Sequence, residues 1–307
     1  MTNGGPRDPS RRRMLAAGAV AAATAMPGAA HAAQVATPAR GRFTDRVVLI
    51  TGATSGIGEG AARAFAAEGA RVFFCGRREA LGAQVQDGIR RGGGEATFMR
   101  ADVRREEDVA TFVQGCVRRY GRIDIALNNA GIATNVNAAL AEQPTPDFDD
   151  IMHTNAYGVF WSLKHELPVI LRNEPAGAFG TRGVVINTAS TSGHRGYAGI
   201  SPYGASKAAV LSLTRNAALE YGPRGIRVNS FSPGGVDTPM RRKAYAAQGI
   251  AADQPLPPVP NIPRRANTVA EMADVILFLA SDAGSSLQGT DLDVTGGNLT
   301  GPFFRTA

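Results

Sequence analysis

The sequence predicts an α/β protein in which a doubly wound parallel sheet of about seven strands carries helices on both faces. Two observations indicate this fold class. From Asp45 onwards, short apolar runs alternate with longer amphipathic stretches, which is the pattern of a parallel sheet covered on both sides. The first apolar run also leads into the glycine-rich segment 51–58 and then into a helix-like stretch, as in sheets that bind phosphate groups at a helix N-terminus.

The alternating runs divide the chain into candidate elements. The candidate strands are Val47–Thr51, Val72–Cys75, Ala96–Arg100, Ile125–Asn128, Val184–Thr188, Arg227–Phe231 and Asp291–Val294. The clearest candidate helices are Gly58–Ala67, Glu106–Arg119, Pro146–Arg172, Ser201–Tyr221 and Val269–Ser281. Because ligands of such sheets bind at the carboxyl ends of the strands, we expect the functional site there.

The composition fits one globular domain, which we place at residues 44–307. The 307 residues are 44% hydrophobic and 19% charged, and no internal repeat or second domain boundary is visible. Two cysteines are too few for a disulfide framework, and the four histidines have no metal-ligand spacing. We therefore predict no metal site, and we predict a buried, inert thiol at Cys75 because this residue lies in an apolar run.

The first 32 residues have the layout of a cleaved export signal. A run of arginines precedes a short apolar stretch, and small residues ending in Ala30-His31-Ala32 follow, as in a signal peptide with an A-x-A cleavage site. The arginines, flanked by Ser10 and by Met-Leu, resemble a twin-arginine signal. This predicts a short linker at 33–43 and a periplasmic or exported protein. The alternative is a disordered basic tail on a cytoplasmic protein.

The charge of the chain is concentrated in this first segment. Residues 1–32 hold four arginines and one acid, so the net charge of +7 falls to +4 without them. The remaining excess suits an anionic cofactor, but no basic stripe with interleaved aromatic residues is present, so we expect no nucleic-acid partner. The apolar run of the leader is too short to span a membrane, and we expect no stable membrane insertion.

The turn after the first strand predicts a pyrophosphate site. Gly52, Gly56 and Gly58 allow a tight turn and a close approach of the backbone to phosphate, whose charge the helix N-terminus favours. The second strand ends without the carboxylate that would bind a ribose diol. Because a guanidinium suits a 2′-phosphate, Arg77 favours NADP over NAD. The alternative is that Arg77 and Arg78 are solvated residues at the start of a helix.

Tyr203 and Lys207 form a candidate acid–base pair. The chain contains three lysines, and one of them lies four residues after this tyrosine. Residues i and i+4 share a helix face, and a nearby cation lowers the pKa of a tyrosine from its usual value of about 10. The pair would then serve as an acid and base near neutral pH. Taken alone, it also fits a surface helix with a stacked Tyr-Lys pair.

Together these residues resemble the short-chain dehydrogenase/reductase family, in its type of ordinary length. The resemblance covers Arg46 to about Gly297 and rests on motifs in a fixed order. The motifs are Thr51-Gly52-x-x-x-Gly56-x-Gly58, Asp102-Val103, Asn128-Asn-Ala-Gly131, Asn155, Ser190, Tyr203-x-x-x-Lys207, Pro233-Gly234 and Val294-Thr-Gly-Gly297. The resemblance implies a single Rossmann-type sheet that binds a nicotinamide cofactor.

The resemblance also implies a role for each motif residue. Tyr203 exchanges a proton with the substrate oxygen, and Lys207 lowers its pKa and binds the nicotinamide ribose. Ser190 hydrogen-bonds the substrate oxygen, and Asn155 holds a water that links the lysine to solvent. The implied catalytic set is therefore Asn155, Ser190, Tyr203 and Lys207. The implied cofactor-binding set is Gly52, Thr54, Ser55, Gly56, Ile57, Gly58, Arg77, Asp102, Val103, Asn129, Gly131, Tyr203, Lys207, Pro233, Gly234, Val236 and Thr238.

Three of these assignments have competing interpretations. Asn155 could cap or bend a helix. Asp102 could cap the helix that starts near Glu106. Ser190 has hydroxyl neighbours, but it alone lies thirteen residues before Tyr203, as the resemblance requires; those neighbours are Thr188, Thr191 and Ser192.

The expected activity is the interconversion of an alcohol and a ketone or aldehyde by hydride transfer with NAD(P). The alternative is an exported nicotinamide-binding protein with a sensing or assembly role. Dehydratase or epimerase chemistry is less favoured, because the chain lacks a longer C-terminal substrate domain. We expect substrate identity to lie in segments 191–202 and 238–268, whose apolar and aromatic residues indicate a carbonyl compound with apolar bulk. The resemblance implies a homotetramer or homodimer, with Val269–Ser281 and the tail at subunit contacts.

Overall fold

The computed structural model describes residues 1, 41–134, 136–177, 179–246, 249–251 and 254–300. The chain divides into two units, Met1–Pro38 and Ala39–Ala307, and the second contains all the strands and helices described below. The predicted export signal and most of the predicted linker lie outside the described residues. They stay predictions.

Seven strands form one sheet in which every neighbouring pair is parallel. The strands are β1 (Val47–Thr51), β2 (Arg71–Gly76), β3 (Glu95–Arg100), β4 (Ile125–Asn128), β5 (Gly183–Thr188), β6 (Ile226–Pro233) and β7 (Asp291–Val294). Their order across the sheet is β3-β2-β1-β4-β5-β6-β7. The direction of winding therefore reverses between β1 and β4, and in such sheets the ligand crevice opens at the carboxyl ends beside this reversal.

Eight α-helices surround the sheet in the described part of the chain. They are α1 (Gly56–Ala67), α2 (Glu79–Arg91), α3 (Glu106–Tyr120), α4 (Thr145–Met152), α5 (Gly158–Ile170), α6 (Ser201–Tyr221), α7 (Pro239–Ala246) and α8 (Val269–Ala280). The predicted fold class is confirmed. The bounds of β1, β4, β7 and α6 match the sequence analysis.

The apolar core lies in two layers, one on each face of the sheet. Alternate residues of β1 face opposite layers, and all five of its residues are buried. One layer packs α1, α2 and α8 against the sheet, and the other packs α3, α5 and α6. Burial on both faces explains why the strands appear in the sequence as nearly continuous apolar runs.

The predicted helix-like stretch Pro146–Arg172 is helical from Thr145 to Ile170, but it is not a regular α-helix throughout. A π-helical turn, His153–Tyr157, interrupts it between α4 and α5. A π-turn holds one more residue per turn than an α-helix, and such turns are frequent at functional sites. The apolar spacing does not reveal it, because the side chains on both flanks still face the core.

Three further observations concern the described residues. Phe43, at the end of the predicted linker, is 3% exposed, and its ring lies edge-on to Phe65 at 5.0 Å, so the folded domain includes this residue. Cys75 is buried, and burial raises the pKa of its thiol to about 12. The predicted burial of this thiol is confirmed, and the raised pKa disfavours the thiolate, which is the reactive form. Among the described residues, no helix has the length and apolar character needed to cross a membrane.

Candidate active site

The turn between β1 and α1 has a backbone that favours glycine. Gly52 and Gly56 have φ values of +71° and +62°, in the left-handed region that glycine enters without strain. A Cβ on Gly58 would lie 2.5 Å from the Gly52 carbonyl oxygen and from Nδ2 of Asn129. Ser55 precedes α1 in an extended conformation, and no side chain caps the first turn. The amides of Ile57 and its neighbours at this helix start therefore fit a pyrophosphate.

Arg78 closes over this turn, a contact that the sequence did not predict. Its guanidinium donates to Thr54 Oγ1 at 2.8 Å and to Ser55 Oγ at 2.6 Å. Arg77 is exposed beside it at the end of β2. The pair of arginines was visible in the sequence, but the choice of which one folds back depends on side-chain geometry. Two guanidinium groups thus lie at the end of β2, beside the glycine-rich turn.

The carboxylate of Asp102 is held by Arg104. The distance from Arg104 Nη2 to Asp102 Oδ2 is 2.6 Å, and Arg104 Nη1 also bonds Asp150 at 2.8 Å. Burial raises the pKa of Asp102, but the hydrogen bonds from Arg104 outweigh burial and hold it below its usual range. The helix-cap interpretation is wrong, because the residue that precedes α3 as its N-cap is Arg105. The carboxylate is ionised at neutral pH, so it can accept further hydrogen bonds.

The end of β4 connects the glycine-rich turn with the predicted catalytic residues. Asn129 Nδ2 donates to the Gly52 carbonyl oxygen at 3.0 Å. A Cβ on Gly131 would lie 3.3 Å from Asn155 Oδ1 and 3.6 Å from Lys207 Nζ. Gly131 therefore leaves open the space between the two groups.

The segment after β6 reaches back to the glycine-rich turn. A Cβ on Gly56 would lie 3.4 Å from Thr238 Cγ2. Gly234 is packed against the main chain that follows β7, where a Cβ would approach to 3.0 Å. Pro233 ends β6, and Val236 is 7% exposed. This segment, 233–238, therefore lies across the crevice from α1.

Val103, which follows β3, is also 7% exposed.

Tyr203 and Lys207 lie on one face of α6. Lys207 is 4% exposed, and its Nζ donates to the Thr188 carbonyl oxygen at 2.8 Å. The same nitrogen lies 5.8 Å from the centre of the Tyr203 ring. The alternative of a solvated surface pair is wrong, because the ammonium group is buried at the end of β5.

The pKa of Tyr203 moves in the direction opposite to the one expected. Burial raises it above its usual value, and an interaction with the Ser190 hydroxyl only partly offsets this. Burial also lowers the pKa of Lys207 to about 8, because a buried ammonium loses its hydration. The ammonium faces a backbone carbonyl and lies over the ring rather than at the hydroxyl. The phenol is therefore protonated at neutral pH in this geometry.

Ser190 is the hydroxyl residue that contacts the tyrosine. It lies just after β5, is 7% exposed, and interacts with Tyr203. Its Oγ also accepts a hydrogen bond from the Ser192 amide at 3.2 Å. Thr188 contributes its main-chain oxygen to the site, through the bond from Lys207. This geometry supports Ser190 over its neighbours.

Asn155 is fully buried in the π-turn, and its side chain joins three elements. Its Oδ1 accepts from the Ile132 amide at 2.8 Å, and its Nδ2 donates to the Ile132 carbonyl at 2.9 Å and to Ser206 Oγ at 3.1 Å. The side chain therefore positions the segment after β4 against α6.

A buried polar cluster beneath the site was missed by the sequence analysis. Asn128 Nδ2 donates to Glu166 Oε2 at 3.1 Å and to Asn187 Oδ1 at 3.0 Å, and Asn187 Nδ2 donates to Thr214 Oγ1 at 3.0 Å. Burial raises the pKa of Glu166 to about 7. The sequence signal for this cluster was the presence of asparagines in otherwise apolar strands.

No three His, Cys, Asp or Glu side chains of the described residues are grouped as a metal site would require.

Comparisons with known proteins find relatives over most of the chain. A family model described as "Enoyl-(Acyl carrier protein) reductase" matches residues 52–298. The chain is 39% identical over 261 residues to the A-factor type gamma-butyrolactone 1'-reductase (1S-forming) of Streptomyces virginiae, covering 85% of this chain and 98% of that protein.

Solved structures show the same fold over nearly the whole domain. The crystal structure of levodione reductase has a TM-score of 0.77 at 33% identity, covering 85% of this chain and 100% of that one. A variant of actinorhodin polyketide ketoreductase, crystallised with NADPH, has a TM-score of 0.74 at 32% identity, covering 83% and 97%. The chain belongs to the short-chain dehydrogenase/reductase family, and it is an oxidoreductase of that family.

Proposed function

We propose that this protein is an NADP-dependent oxidoreductase that interconverts an alcohol and a ketone, with Tyr203 as the general acid and base. The observation that supports this most strongly is the convergence at one crevice of Ser190, Tyr203 and Lys207 with the uncapped start of α1. NADP, when bound, supplies or receives the hydride.

The residues of the chain account for the proton transfer. With its pKa raised, the Tyr203 phenol keeps its proton at neutral pH and donates it to the oxygen of a ketone as that oxygen gains negative charge. Ser190 donates a second hydrogen bond to the same oxygen. Lys207 is buried within reach of the tyrosine ring, so its positive charge favours the phenolate that forms. The reverse reaction uses the same groups with Tyr203 as base.

The choice of NADP rests on the end of β2. Arg77 and Arg78 lie there, with no carboxylate between Cys75 and Glu79. Arg78 is already oriented toward the turn by its bonds to Thr54 and Ser55. The NADPH bound by the actinorhodin polyketide ketoreductase variant is consistent with this choice.

The decisive test is Tyr203→Phe, with Tyr221→Phe as its control at the end of the same helix. Loss of one positioned acid–base group lowers rates by about 100- to 10 000-fold. We expect that loss in NADPH-dependent reduction of a panel of cyclic ketones, with NADPH binding unchanged in a fluorescence titration. Tyr221→Phe should retain both. Unchanged turnover in Tyr203→Phe would exclude the proposed acid–base role.

We also propose that the enzyme is exported by its twin-arginine-like leader and cleaved after Ala32. The support is the order of charged, apolar and small residues in segment 1–32. The test is expression with and without replacement of Arg11 and Arg12 by lysine, followed by fractionation and N-terminal mass spectrometry. Export of a chain that begins at Ala33, abolished in the variant, is expected. An intact N-terminus in the cytoplasm would contradict the proposal.

A homotetramer or homodimer is proposed on the basis of an exposed aromatic stripe. The ring of Tyr157 stacks on His153 with centres 5.0 Å apart and lies tilted against Trp161 with centres 5.4 Å apart. Tyr157 and Phe160 are 46% and 45% exposed, and exposed apolar patches of this kind mark interaction sites. Light scattering should show a dimer or tetramer in solution, and Tyr157→Asp with Phe160→Asp should shift it toward monomer. A monomeric parent protein would refute the assignment.

A further inference from the structure

One buried asparagine lies between the two segments that are expected to determine the substrate. Asn298 follows β7 in a turn whose two glycines, Gly296 and Gly297, have φ values of +67° and +85°. Asn298 is 5% exposed. An asparagine amide accepts at its oxygen and donates at its nitrogen, so it can join two different partners.

The oxygen atoms of Asn298 hold the loop that follows Ser190. The Tyr197 hydroxyl donates to Asn298 Oδ1 at 2.8 Å, and Arg195 Nη1 donates to the Asn298 main-chain oxygen at 3.1 Å. The Arg195 guanidinium also lies over the Tyr197 ring, 5.1 Å from its centre. This loop is therefore fixed to the tail within seven residues of the proposed catalytic serine.

The nitrogen of Asn298 holds the proline-rich segment. Its Nδ2 donates to the Pro260 carbonyl oxygen. A carbonyl oxygen only accepts, so this contact fixes the orientation of the amide and leaves Oδ1 for Tyr197. The Ile262 amide donates to the Gly296 carbonyl at 2.9 Å, and this second bond secures the segment to the same turn.

We propose that Asn298 is a positioning residue that fixes the separation of these two segments, and thereby the bulk of the carbonyl compound that the site accepts. This inference rests on the proposed function. The residue touches neither the proposed catalytic groups nor the glycine-rich turn among the contacts described, so it acts through Tyr197 and Pro260. It sorts substrates by size while leaving the chemical step and the cofactor site intact.

Three variants separate the two contacts. Tyr197→Phe removes the bond from the loop to the Asn298 side chain and leaves the bond from Arg195 to the main chain. Asn298→Asp keeps the acceptor for Tyr197 but places an oxygen against the Pro260 carbonyl, and Asn298→Ala removes both. Thr300→Ala is the matched control, because Thr300 lies in the same tail and, among the described residues, its hydroxyl bonds the carbonyl of Gly297 within its own turn.

The experiment measures kcat and KM with NADPH for cyclohexanone, 2-decalone and a four-ring steroid ketone. In Asn298→Ala we expect KM to rise about tenfold for the ketone that the parent enzyme prefers. A change of this size corresponds to the net contribution of one to two hydrogen bonds. The preference among the three ketones should shift toward larger rings. The KM for NADPH and the pH profile of kcat should stay as in the parent, and Thr300→Ala should match the parent throughout.

Two kinetic outcomes overturn the proposal. Equal losses of kcat/KM for all three ketones would show a structural role only, and unchanged kinetics would show no role. If the parent enzyme reduces none of the ketones, the proposed function fails for them, and hydrogen–deuterium exchange then tests the contact itself. Faster exchange at both 191–200 and 257–262 in Asn298→Ala, but not in Thr300→Ala, supports the coupling. Unchanged exchange refutes it.

Discussion

The cofactor side and the substrate side of the crevice are built from different kinds of contact. On the cofactor side, at the ends of β1, β2 and β4, glycines bring one main chain against another, as at Gly52 and Gly58. On the substrate side, side-chain amides and hydroxyls join segments far apart in the chain. Tyr197 bonds Asn298, 101 residues away, and Gln143 bonds the Gly199 carbonyl, 56 residues away. Close main-chain packing thus characterises the glycine-rich turn, while side-chain hydrogen bonds join the loops on the other side.

The difference between the two sides is tested most directly by adding one methyl group to the glycine-rich turn and one to the substrate loop. Gly58→Ala places a Cβ 2.5 Å from the Gly52 carbonyl and from Asn129 Nδ2, whereas Gly196→Ala in the substrate loop meets nothing within 4 Å. Overpacking of this kind costs about 1–3 kcal/mol, and more where backbone must move. We expect Gly58→Ala to weaken NADPH binding about 100-fold in calorimetry and to lower the melting temperature.

Gly196→Ala is expected to retain the parent's NADPH affinity and melting temperature. If both variants bind NADPH equally well, the glycine-rich turn does not hold the pyrophosphate by close backbone approach.

The sequence predicted the cofactor side better than the substrate side for the same reason. The succession of strands and helices along the chain, the glycine-rich turn and the positions of Tyr203 and Lys207 follow from local spacing. The π-turn around Asn155, the fold-back of Arg78 and the contact between Tyr197 and Asn298 do not, because each depends on how distant segments meet. The expected lowering of the Tyr203 pKa also failed, since spacing places an ammonium on the helix face but does not reveal how deeply the phenol is buried.

A second prediction concerns Glu166, which accepts a hydrogen bond from Asn128 at the end of β4, beneath the site. The pKa of Glu166 is raised by burial to about 7, from an ordinary value of 4.5. A shift of this size corresponds to about 3 kcal/mol of stability. Below pH 4.5 both the folded and unfolded chains keep the proton and this stability is present. It is lost as pH rises through 4.5 toward 7, because the unfolded chain ionises first.

Glu166→Gln tests this account, because a glutamine keeps an acceptor for Asn128 and never ionises. Relative to the parent, the variant should gain about 3 kcal/mol in free energy of unfolding between pH 4.5 and pH 8. Urea denaturation at both pH values measures the difference. A parent and variant whose stabilities differ by the same amount at both pH values would show that Glu166 ionises normally.

The smallest expected effect separates the two arginines at the end of β2. A hydrogen bond to a charged group contributes about 1.5–3 kcal/mol, so Arg77→Ala and Arg78→Ala should each raise the KM for NADPH by roughly tenfold or more. The KM for NADH should hardly change in Arg77→Ala. Arg78 also bonds Thr54 and Ser55, so its loss should loosen the turn and raise the KM for NADH as well. Steady-state kinetics with both cofactors distinguishes the two roles.

If Arg78→Ala leaves the KM for NADH unchanged, its contacts with the turn do not help to hold the cofactor. If neither variant alters the ratio of the two KM values, the preference for NADP is set elsewhere than at the end of β2.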